Sequence, residues 1–319
     1  MTNIKDIGGE FSLIEKITRK CNSSDVLVGI GDDAAVVLVN GKKYVLTTDM
    51  FVEDNHFSLK FCSWYDIGWK CVQGSVSDVC AMGGTPTFLT VAGSFPPTVS
   101  VEDMEEFSRG MYAAASMLSV SIVGGDTTRG KVCCFCVTVM GSVVNECLRS
   151  HAQIGDFIVV SGDVGRSHSG LSLLQSGFDG VNEDVNYYRR PQCAGDFGEK
   201  INSLVHAMID VSDGVASEVK HICKQSGVGA VVVKEKLPLH ARTVANGLKL
   251  GVDPATWALS GGEDFVLLFT VSPDVFSSQK DLFSKCTVIG QILDGSEGIW
   301  LEEEGVRKDL GKGYNHFSE

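Results

Sequence analysis

Three observations predict an α/β (α+β) protein of two domains. The chain has 319 residues, about twice the length of an ordinary domain. Segments with apolar residues every three or four positions alternate with short Val-rich runs, the pattern of helices packed on sheets. A polar stretch between Val144 and Asp156 separates two such blocks. The boundary is therefore expected near residue 150, giving domains 1–150 and 151–319.

In the first block, Glu10 to Lys20 carries Phe11, Ile14 and Ile17 at helical spacing. Tyr44 to Thr48 reads as a short buried strand running into Thr47-Thr48-Asp49. Asp66 to Met82 repeats Ile67, Cys71, Val72, Val76 and Val79 and stops at Gly83-Gly84, glycine being favoured just past a helix end. This helix carries Asp78 near its C-terminus. Ser100 with Asp103 forms a capping pattern before Met104, Phe107, Met111 and Leu118. Ser121 to Gly125 reads as a short strand closed by Asp126, and Val132 to Val144 as a long one rich in Val and Cys.

In the second block, strands are expected at Phe157 to Ser161, Gly229 to Val233, Phe265 to Val271 and Val288 to Leu293. Helices are expected around Gly170 to Gln175, Gly198 to Ala207, Ala216 to Gln225 and Arg242 to Leu250.

Composition narrows the function classes. Hydrophobic residues make up 44% and charged residues 21%, and no segment approaches the ~20 unbroken apolar residues of a membrane helix. The opening Met1-Thr2-Asn3-Ile4-Lys5-Asp6 lacks the apolar core of a secretory signal, so a cytoplasmic protein is expected. Eleven cysteines, an odd count, then imply no structural disulfides. A net charge of −13 disfavours nucleic acid and anionic membranes as partners. It still permits an anionic substrate if divalent cations stand between carboxylates and phosphates.

The chain has no GxxxxGK[ST] loop, no protein-kinase signature set and no GxGxxG between a strand and a helix. Instead an aspartate flanked by Gly, Ser or Thr recurs: GIGDDAA at Asp32 and Asp33, TTD at Asp49, SD at Asp78, GGDTT at Asp126, DVSDG at Asp210 and Asp213, and SGGED at Asp264. Small neighbours let backbone and water approach a phosphate, which suits Mg²⁺ because it gives up its hydration reluctantly. Any one Asp-Gly segment is ordinary turn chemistry. Six together, several in apolar runs where an unpaired carboxylate is costly, point to a shared site for metal-assisted phosphoryl transfer. Asp78 is the sharpest case, because an acid on a largely apolar helix needs a partner.

The order and spacing of GIGDDAA, TTDMFVEDNHF, VSDVCAMGGTP, GGDTTRG, DVSDG, SGGEDF and the closing GYNHF resemble the thiamine-monophosphate kinase family of the aminoimidazole-ribonucleotide-synthetase-like superfamily, from about Gly9 to Phe317. The resemblance implies an N-terminal domain that forms the dimer sheet and a C-terminal mixed-sheet domain with helices. It implies a homodimer that binds ATP with several Mg²⁺ ions and passes the γ-phosphate directly to thiamine monophosphate, giving thiamine diphosphate.

Residue by residue, the resemblance makes Asp33, Thr47, Thr48, Asp49, Asp78, Asp126, Asp210 and Asp213 metal ligands, with Asp32 a lesser candidate. It assigns Tyr112, Gly125, Asp126, Arg149 and Ser212 to ATP and His56 and Glu263 to the thiamine phosphate, and makes Asp126, Asp210 and Asp213 catalytic. Ser75 stands where an asparagine is usual. Gly311 stands where many members place a stacking aromatic, a role left to Tyr314 or Phe317.

Plain structural readings stand beside these. Tyr112 fits a core position, His56 a structural histidine and Arg149 a solvated charge. Cys133-x-x-Cys136 lies in a strand pattern without a second ligand pair for zinc. The alternatives are another ATP-dependent enzyme of the superfamily, of selenophosphate or aminoimidazole ribonucleotide synthetase type, and a non-catalytic metal- or nucleotide-binding module.

Overall fold

The computed structural model describes residues 4, 10–19, 21–311, 313 and 314. Among these, no helix is long and apolar enough to cross a membrane. After helix α1 (Glu10–Ile17) the first block forms a six-stranded sheet from β1 (Val26–Val28), β2 (Ala35–Val39), β3 (Lys42–Val52), β4 (Thr85–Phe95), β5 (Ser121–Arg129) and β6 (Cys134–Ser142), in the order β1-β2-β3-β6-β4-β5. Helices α2 (Trp64–Ala81) and α3 (Val101–Met117) belong to the same block, and each starts with a Ser capping box, at Ser63 and Ser100.

Period-two alternation decides which side of this sheet is covered. Phe135, Val137 and Val139 of β6 are buried with the α2 side chains Val72, Val76 and Val79 in one apolar core. The alternate positions form an open face, where Leu46, Met50 and Phe88 are exposed. Helices α2 and α3 touch through glycine. A Cβ added at Gly110 would lie 2.0 Å from the carbonyl oxygen of Tyr65, and one at Gly68 would lie 2.1 Å from that of Phe107.

The second block is a seven-stranded sheet of β7 (Phe157–Val160), β8 (Ala207–Asp210), β9 (Gly229–Val233), β10 (Leu267–Val271), β11 (Thr287–Leu293), β12 (Ile299–Glu303) and β13 (Val306–Asp309), in the order β13-β12-β9-β11-β7-β10-β8. Its pairings are antiparallel except β9 with β12, so the sheet is mixed. With it go helices α4 (Arg166–Gln175), α5 (Glu183–Arg189), α6 (Phe197–Ile201), α7 (Val215–Ser226), α8 (Ala241–Leu250), α9 (Pro254–Ser260) and α10 (Pro273–Ser278). Strand β8 ends the sheet order, and α2 of the first block packs beside it, where the Ser77 hydroxyl donates to Asp210 at 2.6 Å.

Several expectations need correction. The helix expected over Gly198 to Ala207 is only α6, and Ala207 begins β8, whose four residues are all buried. The strand expected to close at Asp126 continues to Arg129, so Asp126 lies inside β5 in register with Ala92. Strand β4 has no clear counterpart in the sequence pattern because Pro86, Gly93 and Ser94 dilute its β character.

Candidate functional site

The acidic segments converge from both sheets. Asp33 precedes β2, Asp49 lies in β3, Asp78 near the end of α2 and Asp210 at the end of β8. Asp33, Asp78 and Asp210 each offer a carboxylate oxygen, and these oxygens lie within 4.8 Å of one another. Thr47 donates to Asp78 at 2.6 Å. The Arg149 guanidinium donates to Asp33 at 2.6 Å, and its backbone amide donates to Asp32 at 3.2 Å.

Crowding of carboxylates sets the electrostatics. Burial, reinforced by Asp49, Asp210 and Asp33, pushes Asp78 well above the usual carboxylate range. Burial and Asp33 raise Asp210 to about 8, and burial also holds Asp49 up. Asp32 rises to about 6 through burial and its neighbour Asp33. Burial opposes charge on Arg149, yet Asp33 and Asp32 more than compensate and hold its guanidinium protonated.

This donor set fits a hard divalent cation. Asp33 Oδ2 is buried without a hydrogen-bond partner among the described residues, an expensive state for a carboxylate oxygen unless something positive completes it. Opposite oxygens around Mg²⁺ lie ~4.2 Å apart, so a spread of up to 4.8 Å needs only slight closure.

The cluster opens into a cavity of about 480 Å³ lined by Asp49, Asp78, Asp210, Ser212 and Asp213 together with Phe51, Asn55, His56, His168, Tyr188, Glu263, Phe265 and Tyr314. Carboxylates and aromatic rings thus share one chamber. Asp213 and Ser212 lie on the turn between β8 and α7. The Asp213 amide donates to the buried Glu218 at 2.8 Å, and its carbonyl accepts the Tyr314 amide at 3.0 Å. Glu263 sits on a loop with left-handed backbone at Gly262, Glu263 and Phe265 (φ 71°, 57° and 52°), a costly conformation for the two non-glycine residues. Its amide is held by Ser212 O at 2.8 Å and the Phe265 amide by Val211 O at 2.9 Å. The buried Asp264 accepts the Gly165 and Ser167 amides at the start of α4. His56 Nδ1 accepts the Val52 amide at 3.1 Å.

Other expected residues lie elsewhere. Thr48 alternates away from Thr47 and faces the open side of the sheet, 3.0 Å from Thr138 Oγ1. Asp126 is exposed on the edge strand β5, aligned through Ala92 and Cys136 with Met50 on that open side. Three strand spacings put it about 14 Å from β3. Gly125 lies beside it, so close to β4 that a Cβ would fall 1.8 Å from Val91 O. Tyr112 is 57% exposed and does not occupy the core position its helical spacing allowed. Cys133 is buried whereas Cys136 reaches Thr48 across the sheet, so the two do not form a shared thiol pair. Gly311 accepts a bond from Lys220 and does not line the cavity, whereas Tyr314 does. Phe317 lies outside the described residues.

Sequence reasoning missed Lys70, His168, Tyr188 and Glu218. Lys70 carried a usable signal, a cation inside the apolar α2 pattern. The other three gain meaning only from what folding puts beside them.

The family model for the AIR synthase related protein N-terminal domain matches residues 31–143, and that for the C-terminal domain matches residues 153–301. The thiamine-monophosphate kinase of Bacillus subtilis (strain 168) is 36% identical, with 97% of this chain and 99% of that protein covered. That of Aquifex aeolicus (strain VF5) is 32% identical, with 97% and 98% covered. A solved structure of AaThiL complexed with AMPPCP and TMP superposes with a TM-score of 0.89 at 31% identity, covering 99% of each chain.

Proposed function

The chain belongs to the thiamine-monophosphate kinase family, and from that premise we propose that it transfers the γ-phosphoryl group of ATP to thiamine monophosphate, releasing ADP and thiamine diphosphate. The observation that carries this reading is the single cavity that joins clustered carboxylates to His56, Glu263 and a set of aromatic rings. The chemistry of one end suits polyphosphate held through cations. The other suits a flat, cationic heteroaromatic molecule, which stacks on rings and pairs with a carboxylate.

Asp33, Asp49, Asp78, Asp210 and Asp213, with Thr47, would hold Mg²⁺ on the inner side, while Thr48 and Asp126 would serve from the open face. Bound Mg²⁺ would neutralise the charge that develops on the transferring phosphoryl group. The chain's own residues supply the rest. Arg149 competes with cations for Asp33 and, when displaced, presents its fork to phosphate oxygens. Ser212 and Asp213 bring backbone and side chain to the phosphate end, and His56, Glu263 and Tyr314 hold the acceptor. Among the described residues neither Ser167 nor Ser212 of the cavity is bonded to a histidine that would activate it, which favours direct transfer.

The functional unit in this reading is a cytoplasmic homodimer. Leu46, Met50 and Phe88 are 43%, 57% and 41% exposed on one sheet face, and a second copy covering that face would also enclose Thr48 and Asp126. Strand β6 lies between β3 and β4, so it offers a partner its face and has no free edge to extend. Residues 1–150 form the ATP, metal and dimerisation domain in this scheme, and 151–319 complete the metal and substrate site. Incubation with ATP, Mg²⁺ and thiamine monophosphate, with product identification, tests the assignment. Thiamine diphosphate is the expected product, and ADP release indifferent to the acceptor would refute it.

A further inference from the structure

Lys70 is a buried cation without a part in the scheme above. It lies in the middle of α2, 1% exposed, among Ile67, Cys71 and Val72. An ammonium group in such a place is retained only if its charge is matched. Its Nζ lies 2.8 Å from Glu263 Oε2 and 3.9 Å from the centroid of the Tyr188 ring. Tyr188 is itself buried, and both it and Glu263 line the cavity. The Glu263 loop is fixed at its neighbours, by the Ser212 and Val211 carbonyls and by the bonds of Asp264, so its left-handed backbone is tightly specified. The side chain remains to be aimed, and the contact that does this comes from the opposite domain.

We propose that Lys70 is a positioning residue, which holds Glu263 Oε2 from across the domain boundary and turns Oε1 toward the nitrogen-rich ring system of the acceptor. This rests on the reading of the cavity as the thiamine monophosphate site and adds how the acceptor end is built. Lys70 takes Oε2, which leaves Oε1 to face a ligand in the cavity. A lone glutamate here would be a swivelling charge that competes for cations with the neighbouring aspartates. Paired with Lys70 it becomes an oriented, locally neutral acceptor that selects a donor on the ligand. Tyr188 closes the other side of the ammonium with its π face.

The test is a double-mutant cycle of Lys70→Met and Glu263→Gln in the full-length enzyme. Wild-type turnover of thiamine monophosphate is measured first, because its absence would defeat the functional reading and not this inference. Lys70→Met should raise KM for thiamine monophosphate by at least ~10-fold, as expected when one partner of a buried pair is removed, while KM for ATP stays within about twofold and kcat changes less than KM. Calorimetric binding of thiamine monophosphate should weaken in parallel. Because Lys70 acts through Glu263, the double variant should bind no more weakly than Glu263→Gln alone. If Lys70→Met folds poorly, the double variant removes both charges together and carries the comparison. Equal losses for ATP and acceptor, or a double variant whose loss is the product of the single ones, would overturn the proposal.

Discussion

Replacing Asp210 with Asn should stabilise the metal-free protein at pH 8 and abolish its activity. Asp210 titrates near 8 in the fold against 3.8 for an ordinary aspartate, through burial and Asp33. Between those values the folded state holds a proton that the unfolded chain has released. Stability is therefore present at low pH and is lost as pH rises toward 8, the reverse of a salt-bridged aspartate. Each tenfold change in proton affinity is worth about 1.4 kcal/mol, so the full displacement sets an upper limit of ~6 kcal/mol on the metal-free penalty. Asn keeps an oxygen for the Ser77 hydroxyl, now 2.6 Å from Asp210 Oδ2, and removes the charge. Urea unfolding in EDTA from pH 5 to 8.5 should show Asp210→Asn ahead of wild type by no more than ~1.6 kcal/mol at pH 5 and by ~2–5 kcal/mol at pH 8, a gap that widens with pH. The slope should shrink without vanishing, because burial also raises Asp49 and Asp78. Millimolar Mg²⁺ should reverse the order at pH 8, since only wild type gains the full binding energy. A metal-free wild type that gains stability from pH 5 to 8, or a variant no better at pH 8, would refute the account of the cluster.

Three further predictions use other parts of the molecule. Asp126 is exposed, so Asp126→Asn should change unfolding free energy by less than ~0.5 kcal/mol, yet lower kcat by at least ~10²-fold. Near-normal turnover in both this variant and Asp210→Asn would return the Asp-Gly segments to ordinary turns. Light scattering at micromolar concentration should give about twice the 34.2 kDa chain mass, and Met50→Glu on the open face should give the single-chain mass, because a charge placed in an apolar interface has no partner there. Unchanged mass in the variant would move the interface elsewhere. Gly110→Ala would put a methyl 2.0 Å from the Tyr65 carbonyl oxygen, forcing α2 and α3 apart at a cost of about 2 kcal/mol or more; an unmoved urea midpoint would contradict that packing.

The fold class was legible because helix periodicity and strand runs are local signals. Helices α2 and α3 carry apolar faces and Ser capping boxes, and each can be read without knowing its neighbour. Strand β8 could not be read this way. Its four residues, Ala207 to Asp210, are buried on both faces, so they lack alternation, and they are defined by pairing with β10, some 60 residues later. The convergence of Asp33, Asp78 and Asp210 follows from the cost of an unpaired acid in an apolar run. Sequence could supply that cost but not the partners, such as the Ser77–Asp210 bond that spans 133 residues.

The rule that singled out Asp78 applies with equal force to Lys70, eight positions earlier on the same helix, and its partner Glu263 lies 193 residues away. A charge inside an apolar helix announces that a partner exists without saying from where it comes. Strand parity in Thr47-Thr48-Asp49 carries comparable information. In a strand, neighbours point to opposite faces, so Thr47 and Asp49 can share the inner cluster while Thr48 must face outward, as its contact with Thr138 shows. A metal at the Thr48 side chain therefore could not be the one that the carboxylates of Asp33, Asp78 and Asp210 would hold. Thr48 and Asp126 share the open face, where Met50 and Leu46 are also exposed, so in the proposed dimer covering that face and filling an outer cation site would be one event. The outer ligands should then lose metal affinity in Met50→Glu, while the inner cluster keeps it.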